Sequence, residues 1–73
     1  FTVNLIDLAG TLEMDYAPLD SFVAYLCVEG EMEVRAMGEK EPLAALQTIL
    51  IPAEATDVTL SGRGKVLEIF VKA

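Results

Sequence analysis

The composition of the chain excludes most kinds of catalytic site. It has 73 residues, with 12 acidic and 5 basic side chains, one cysteine and no histidine. One domain is therefore the upper limit, and disulfides, cysteine zinc knuckles and histidine-dependent triads are excluded. The net charge of −7 disfavours nucleic acid, and no apolar run approaches the roughly 20 residues of a membrane helix. We expect a folded cytoplasmic domain with neither a nucleic-acid nor a membrane partner.

The chain opens on two predicted strands. Residues 2–8 and 11–16 flank Ala9 and Gly10, a two-residue connection typical of a hairpin. The second strand alternates, with Leu12, Met14 and Tyr16 on its inward face. A loop is predicted over residues 17–20, because Pro18 fixes φ and has no N–H to donate.

The middle of the chain predicts a second hairpin. Residues 21–29 are apolar on both faces, as in a central strand that is covered on each side. Residues 31–37 alternate instead, which places Met32, Val34 and Ala36 on one face. Gly30 supplies a tight turn between the two runs, so we expect them to pair antiparallel.

The remaining residues indicate further short strands. Residues 41–46 are read as a loop or a brief strand, and residues 47–51 as a strand that Pro52 ends. Residues 57–61 alternate, with Val58 and Leu60 inward, and a turn over residues 61–64 leads into a strand over residues 65–72. The total of about seven or eight short antiparallel strands predicts an all-β sandwich or small jelly-roll barrel.

Two stretches resemble the core of the cupin family. Residues 22–34 form a hydrophobic strand that ends in V-E-G-E and runs on into a second strand, and residues 50–53 end a strand in I-P-A. Residues 1–8, 19–22 and 60–69 are similar to the C-terminal region of type I mannose-6-phosphate isomerases. The resemblance covers nearly the whole chain. It implies a cupin-like jelly roll in which residues 1–73 are one domain, the C-terminal lobe of a longer enzyme.

The resemblance also implies where the chemistry lies. The complete enzyme of that family interconverts mannose 6-phosphate and fructose 6-phosphate with a divalent metal, commonly zinc. Its Gln, Glu and two His ligands belong to an upstream catalytic lobe. We therefore expect no catalytic, cofactor-binding or metal-binding residue in this chain, no cofactor bound to it, and zinc in the catalytic lobe of the parent.

The general cupin metal motifs can be compared with this chain position by position. Where the first motif has His-x-His, the sequence reads Ser21-Phe22-Val23. Where the second has Pro-x-Gly-x-x-His, residues 52–57 read P-A-E-A-T-D. Asp57 thus occupies a histidine position, with Glu54 nearby. We interpret Asp57 as a loop residue that opens a strand, because a carboxylate replaces imidazole poorly in a zinc site.

Other residues admit a functional and a structural interpretation. Cys27 lies in the most apolar run and is expected to be an unreactive core thiol. A phosphate-binding turn over residues 62–65 is disfavoured, because no helix N-terminus follows it. Tyr16 and Tyr25 are expected in core or rim packing, with stacking on a sugar as the alternative. An acidic set is expected on a solvated face rather than in a cation site: Glu29, Glu31, Glu33, Glu39 and Glu41.

Three functions remain open from the sequence. The first is a non-catalytic lobe that covers hydrophobic surface of the catalytic lobe or forms a subunit contact, since the central strands are apolar on both faces. The strand-like start without an initiator Met favours a segment of a longer chain. The second is a stand-alone sugar-binding module, and the third is a homodimer through strand edges. A binding module needs a cavity of about 300 Å³ or more. A structural lobe instead predicts an interior filled by Phe22, Leu26, Val34 and Leu60.

Overall fold

The computed structural model describes residues 1–19 and 21–71, which form one antiparallel sheet of five strands. The strands are β1 (Thr2–Asp15), β2 (Val23–Ala36), β3 (Glu39–Ala44), β4 (Thr48–Ile51) and β5 (Asp57–Phe70). The order is β1-β5-β2-β3, and β4 pairs with the N-terminal part of β2. The all-β prediction is confirmed. The predicted segments reach Asp20 and Lys72, which lie outside the described residues.

Three predicted turns are instead glycine bends inside continuous strands, which corrects the strand count from seven or eight to five. Gly10 pairs with Gly62, and Gly30 pairs with Gly64, so these glycines form a row across β1, β5 and β2. All four have positive φ, which glycine adopts without a Cβ clash. Because the row bends the sheet without breaking its pairing, residues 21–29 and 31–37 lie in one strand and do not pair with each other.

The glycine row divides the sheet into two halves. The first half contains residues 2–8, 23–29, 48–51 and 65–70, and the second contains residues 11–15, 31–36, 39–44 and 57–61. Tyr16, at the end of β1 in the second half, contacts Tyr25 and Glu68 of the first half through its hydroxyl. The two halves therefore pack face to face around a single core cluster.

A β-bulge at Val28 determines which side chains of β2 enter that core. Cys27 pairs with Val66 and Glu29 pairs with Lys65, so Val28 is left without a partner. The extra residue reverses the alternation. Odd-numbered residues such as Tyr25 therefore point inward before the bulge and even-numbered ones after it. As predicted, Met32, Val34, Val58 and Leu60 are buried.

The bulge also explains two wrong predictions. Phe22 and Leu26 were expected to fill the interior, but Phe22 is 51% exposed and Leu26 is half-buried. Both are even-numbered, whereas the inward-pointing Tyr25 is odd-numbered. Because side chains alternate along a strand, Phe22 and Leu26 point to the outer face. That outer face was expected to be covered, yet Val28 is 44% exposed. Among the described residues, the central strand is covered on one face only.

The segment between β2 and β4 forms the brief strand β3, whereas residues 41–46 were predicted to be either a loop or a brief strand. Beyond β3, Leu46 has a φ of 71° and its N–H donates to the carbonyl of Cys27 over 2.8 Å. The N–H of Cys27 donates to the carbonyl of Gln47 over 3.0 Å. The turn is thus attached to the bulged part of β2. No helix of the described ranges is both long and apolar enough to span a membrane.

Two paired glycines allow the stability cost of backbone strain to be measured separately from the cost of forcing closely packed strands apart. Gly62 and Gly10 have φ values of 136° and 112°, but only at Gly62 would a Cβ lie 2.6 Å from the carbonyl oxygen of Glu31. We predict that Gly10→Ala costs about 1–3 kcal/mol through strain. Gly62→Ala should cost about 1–3 kcal/mol more because strands must separate. Urea unfolding measures both, and equal losses would contradict the close approach.

Candidate functional site

The most unusual feature of the interior is a buried carboxylate. Glu68 of β5 is 5% exposed. Its Oε2 accepts a hydrogen bond from the hydroxyl of Tyr16, and its Oε1 accepts one from Asn4 Nδ2 at 3.0 Å. The hydroxyl of Tyr25 in turn contacts that of Tyr16. Glu68, Tyr16, Tyr25 and Asn4 form what we term the interior polar cluster.

The hydrogens of the cluster can be assigned from its donor inventory. Tyr16 has a single hydroxyl hydrogen, which it donates to Glu68. Tyr25 must then donate to Tyr16, because the Tyr16 oxygen has only lone pairs left for that contact. Among the described residues, no buried side-chain nitrogen or oxygen lacks a hydrogen-bond partner. The cluster therefore satisfies itself and leaves no orphaned group directed at a ligand.

Burial keeps both hydroxyls protonated. Desolvation, reinforced by the hydrogen bond that Tyr16 donates to Glu68, raises the pKa of Tyr16 well above its ordinary value. Desolvation is also the main reason that the pKa of Tyr25 rises to about 12. Neither tyrosine is thereby prepared to act as a base at neutral pH, since a useful catalytic pKa lies near the operating pH. The arrangement suits a structural donor chain.

Tyr16 and Tyr25 lie in the core, within the predicted core or rim packing, and both hydroxyls are interior. Sequence reasoning missed Glu68 and Asn4 altogether. A signal was present, because Glu68 shares the parity of Val66, which is a core position of β5. A lone carboxylate in such a position needs buried donors. Tyr16 and Asn4 are those donors.

The residues at the cupin metal positions do not assemble a metal site. Asp57 is the first residue of β5 and is exposed, as predicted, and Glu54 is exposed in the preceding loop. Both line a shallow depression beside Arg35. Within residues 1–19 and 21–71, no group of three or more Cys, Asp or Glu side chains could hold an ion. The zinc implied by the cupin resemblance therefore does not fit these residues.

The acidic set is dispersed rather than gathered into one strip. Glu29 lies 3.3 Å from Lys65 Nζ through its Oε1, whereas Glu31 and Glu33 point outward from the second half. Glu39 and Glu41 line an open cleft of about 450 Å³ between β3 and β4, with apolar walls that include Ile51. In this cleft the two carboxylates lie beside buried apolar side chains.

Two other candidates have structural explanations. Cys27 is fully buried and its thiol donates to the carbonyl of Glu29 over 3.4 Å, and burial raises its pKa. Its thiolate form is therefore disfavoured, as predicted for a core cysteine. The predicted turn over residues 61–64 is wrong, because this segment is part of the continuous strand β5, and the phosphate-binding turn that the sequence already disfavoured therefore does not form. Its glycines serve the close packing of β5 against β2.

Tyrosine ionisation tests the cluster directly, because the chain has two tyrosines and no tryptophan. An unfolded tyrosine ionises near pH of about 10, whereas the folded pKa of Tyr25 is about 12. Since the folded state binds these protons more tightly, stability should be intact below pH of about 10 and fall as the pH rises toward 12. Tyrosinate absorbance should appear only together with unfolding. Ionisation of a still-folded protein near pH of about 10 would contradict the buried cluster.

Replacement of the carboxylate gives a second test. Glu68→Gln retains an acceptor for Tyr16, and its Nε2 can donate to Asn4 Oδ1 once the Asn4 amide turns over, so we expect it to cost about 1 kcal/mol. Glu68→Leu leaves the Tyr16 hydroxyl without an acceptor, so we expect about 1–3 kcal/mol beyond that. Denaturant unfolding of both variants gives the comparison. A Leu variant as stable as the Gln variant would show that the cluster does not stabilise the fold.

Comparison with known structures identifies proteins that share this fold. The chain is similar to a candidate mannosephosphate isomerase from Archaeoglobus fulgidus, with 25% identity and a TM-score of 0.86. The match covers 97% of this chain but 23% of that one, so the chain spans about a quarter of the length of that protein. A cupin-2 domain protein from Shewanella frigidimarina matches with 15% identity and a TM-score of 0.76, covering 97% of this chain and 69% of that one.

A cupin protein from Bacteroides fragilis matches with 19% identity and a TM-score of 0.75, covering 97% of this chain and 63% of that one. These two likenesses establish the cupin fold. A search of curated proteins finds no match. The family model described as the mannose-6-phosphate isomerase cupin domain matches residues 1–71. The chain therefore belongs to the family of mannose-6-phosphate isomerase cupin domains.

Proposed function

We propose that residues 1–73 form a non-catalytic cupin lobe of a mannose-6-phosphate isomerase-like protein, in which a separate lobe interconverts mannose 6-phosphate and fructose 6-phosphate. The observation that carries this proposal is the interior polar cluster. Cupins bind ligands and metals inside the barrel, but here Tyr16, Tyr25 and Glu68 occupy the space between the two halves and satisfy one another. Among residues 1–19 and 21–71, no buried polar side chain is left without a partner and free to orient a substrate.

The donor chemistry of the chain supports the same proposal. Zinc prefers imidazole and thiolate ligands. The sequence has no histidine, and its one thiol is buried among apolar side chains. Zinc and the isomerisation then belong to the catalytic lobe of the parent. We place the complete protein in cytoplasmic carbohydrate metabolism, where sugar phosphates are interconverted.

One observation favours a second candidate function, a small-molecule binding module. The cleft between β3 and β4 has a volume of about 450 Å³, within the range of ligand sites. Its polar groups include the carboxylates of Glu39 and Glu41, which repel phosphate esters. A neutral sugar suits this cleft better than a sugar phosphate. The cleft is open, which gives a ligand little burial.

Titration of the isolated 73-residue chain separates these functions. With zinc or mannose 6-phosphate added, we expect no saturable change in amide NMR shifts and no turnover to fructose 6-phosphate. The full-length gene product, assayed alongside, should show zinc-dependent turnover. Turnover or stoichiometric zinc binding by the isolated chain would overturn the non-catalytic role. Saturable shifts around Glu39, Glu41 and Ile49 with mannose, abolished by the E39Q/E41Q double variant, would establish the binding module.

A further inference from the structure

The outer face of the first half of the sheet is apolar across all four of its strands. Two adjacent rows of paired residues run across β1, β5, β2 and β4, and every side chain in them except Thr48 is apolar. These side chains have the parity opposite to the buried core positions, so they point away from the interior. The apolar outer face comprises Val3, Leu5, Ala24, Leu26, Leu50, Leu67 and Ile69.

This face is open to solvent at both sides of the sheet. Leu5 on β1 is 60% exposed and Leu50 on β4 is 64% exposed. Leu67, in the central strand β5, is half-buried by its neighbours in the sheet. Phe22 and Val71 extend the apolar surface at one end, at 51% and 49% exposure. Single exposed apolar residues are ordinary on a protein surface, but a contiguous patch of this kind marks an interface.

The second half of the same strands provides the contrast. There the outward row reads Glu13, Thr59, Arg35 and Lys40 across β1, β5, β2 and β3. The boundary between the two surfaces is charged as well, with Lys65 and Glu29 in an ion pair of 3.3 Å. One continuous sheet thus carries an apolar outer surface on one half and a charged surface on the other. The apolar surface is a local property that the fold itself does not require.

The size of the face distinguishes between possible occupants. Four strands spaced about 4.8 Å apart, with about five residues each at 3.3 Å, give a surface on the order of 300 Å². A symmetric dimer through this face would bury about 600 Å² in total, below the roughly 1,200 Å² of a stable interface, and would bring together two chains of net charge −7. A partner tethered in the same polypeptide needs a far smaller buried area for a stable contact, because its effective concentration reaches about the millimolar range.

We infer that the apolar outer face packs against an apolar, uncharged surface of the catalytic lobe in the same polypeptide. This inference rests on the proposed function and specifies the contact that joins the two lobes. The length relation supports it, since this chain matches 23% of the Archaeoglobus fulgidus protein and the remainder of such a protein supplies a tethered partner. The interior polar cluster holds the two halves together, and the outer face then holds the lobe in place.

Two substitutions on one strand test the inference. Leu67 and Thr59 are both half-buried and both point outward from β5, so Leu67→Glu and Thr59→Glu add the same charge to opposite halves of the sheet. In the full-length gene product, L67E should increase the rate of proteolysis between the lobes by at least about tenfold, because a carboxylate would be buried against apolar surface. T59E should leave that rate unchanged.

Hydroxyl-radical footprinting provides the second readout. Leu5 and Leu50 should be protected in the full-length protein relative to the isolated chain, whereas Met37, which lies outside the apolar outer face, should react equally in both.

Equal proteolysis of the two variants, or unprotected Leu5 and Leu50, would overturn the inference. So would an isolated chain that dimerises in sedimentation and is made monomeric by L67E, because the occupant would then be a second copy. Zinc binding by the isolated chain would contradict the non-catalytic role but would not contradict the packing of the apolar outer face against a second lobe.

Discussion

A row of glycines across three strands is the constraint on which this structure depends. Gly10, Gly62, Gly64 and Gly30 meet where β1, β5 and β2 bend, and a Cβ on any of the last three would collide with the backbone of the adjacent strand. Because the strands continue through the bend, one sheet supplies both layers of the domain. A chain of 73 residues with a single cysteine obtains a shared core in this way without an internal disulfide.

The same bend creates the interior polar cluster. Folding one half of the sheet onto the other brings Tyr16, at the end of β1, over Tyr25 and Glu68. A buried carboxylate is expensive unless its oxygens are paired with donors. Here Asn4 of β1 and Tyr16 at the end of β1 supply them, and Tyr25 of β2 donates in turn to Tyr16. The result is a closed and self-satisfied interior. In a cupin fold this is the region where chemistry would take place, so its closure is the physical basis on which we propose a non-catalytic role.

Part of this account could be predicted from the sequence. Alternation located the inward faces of residues 31–37 and 57–61, because a period of two is a local property of a strand. The glycines were placed correctly as special backbone positions but interpreted as turns. Positive φ is common to a hairpin and to a bend in a continuous strand, and only the cross-strand partners Gly10–Gly62 and Gly30–Gly64 distinguish the two.

Other features depend on contacts between distant parts of the chain and could not be predicted from local patterns. The bulge at Val28 reverses the alternation of β2, so Phe22 and Leu26 point outward although their hydrophobicity alone predicts burial. Glu68 finds its donors, Tyr16 and Asn4, 52 and 64 positions away along the chain, which no local pattern reveals. The outward-facing apolar residues have a consistent explanation once the second lobe of an isomerase-like protein is considered. A structure of the full-length gene product tests this most directly: the account predicts Leu5, Leu50 and Leu67 buried against the catalytic lobe and zinc bound in that lobe alone. An outer face open to solvent, or a metal within this sheet, would contradict it.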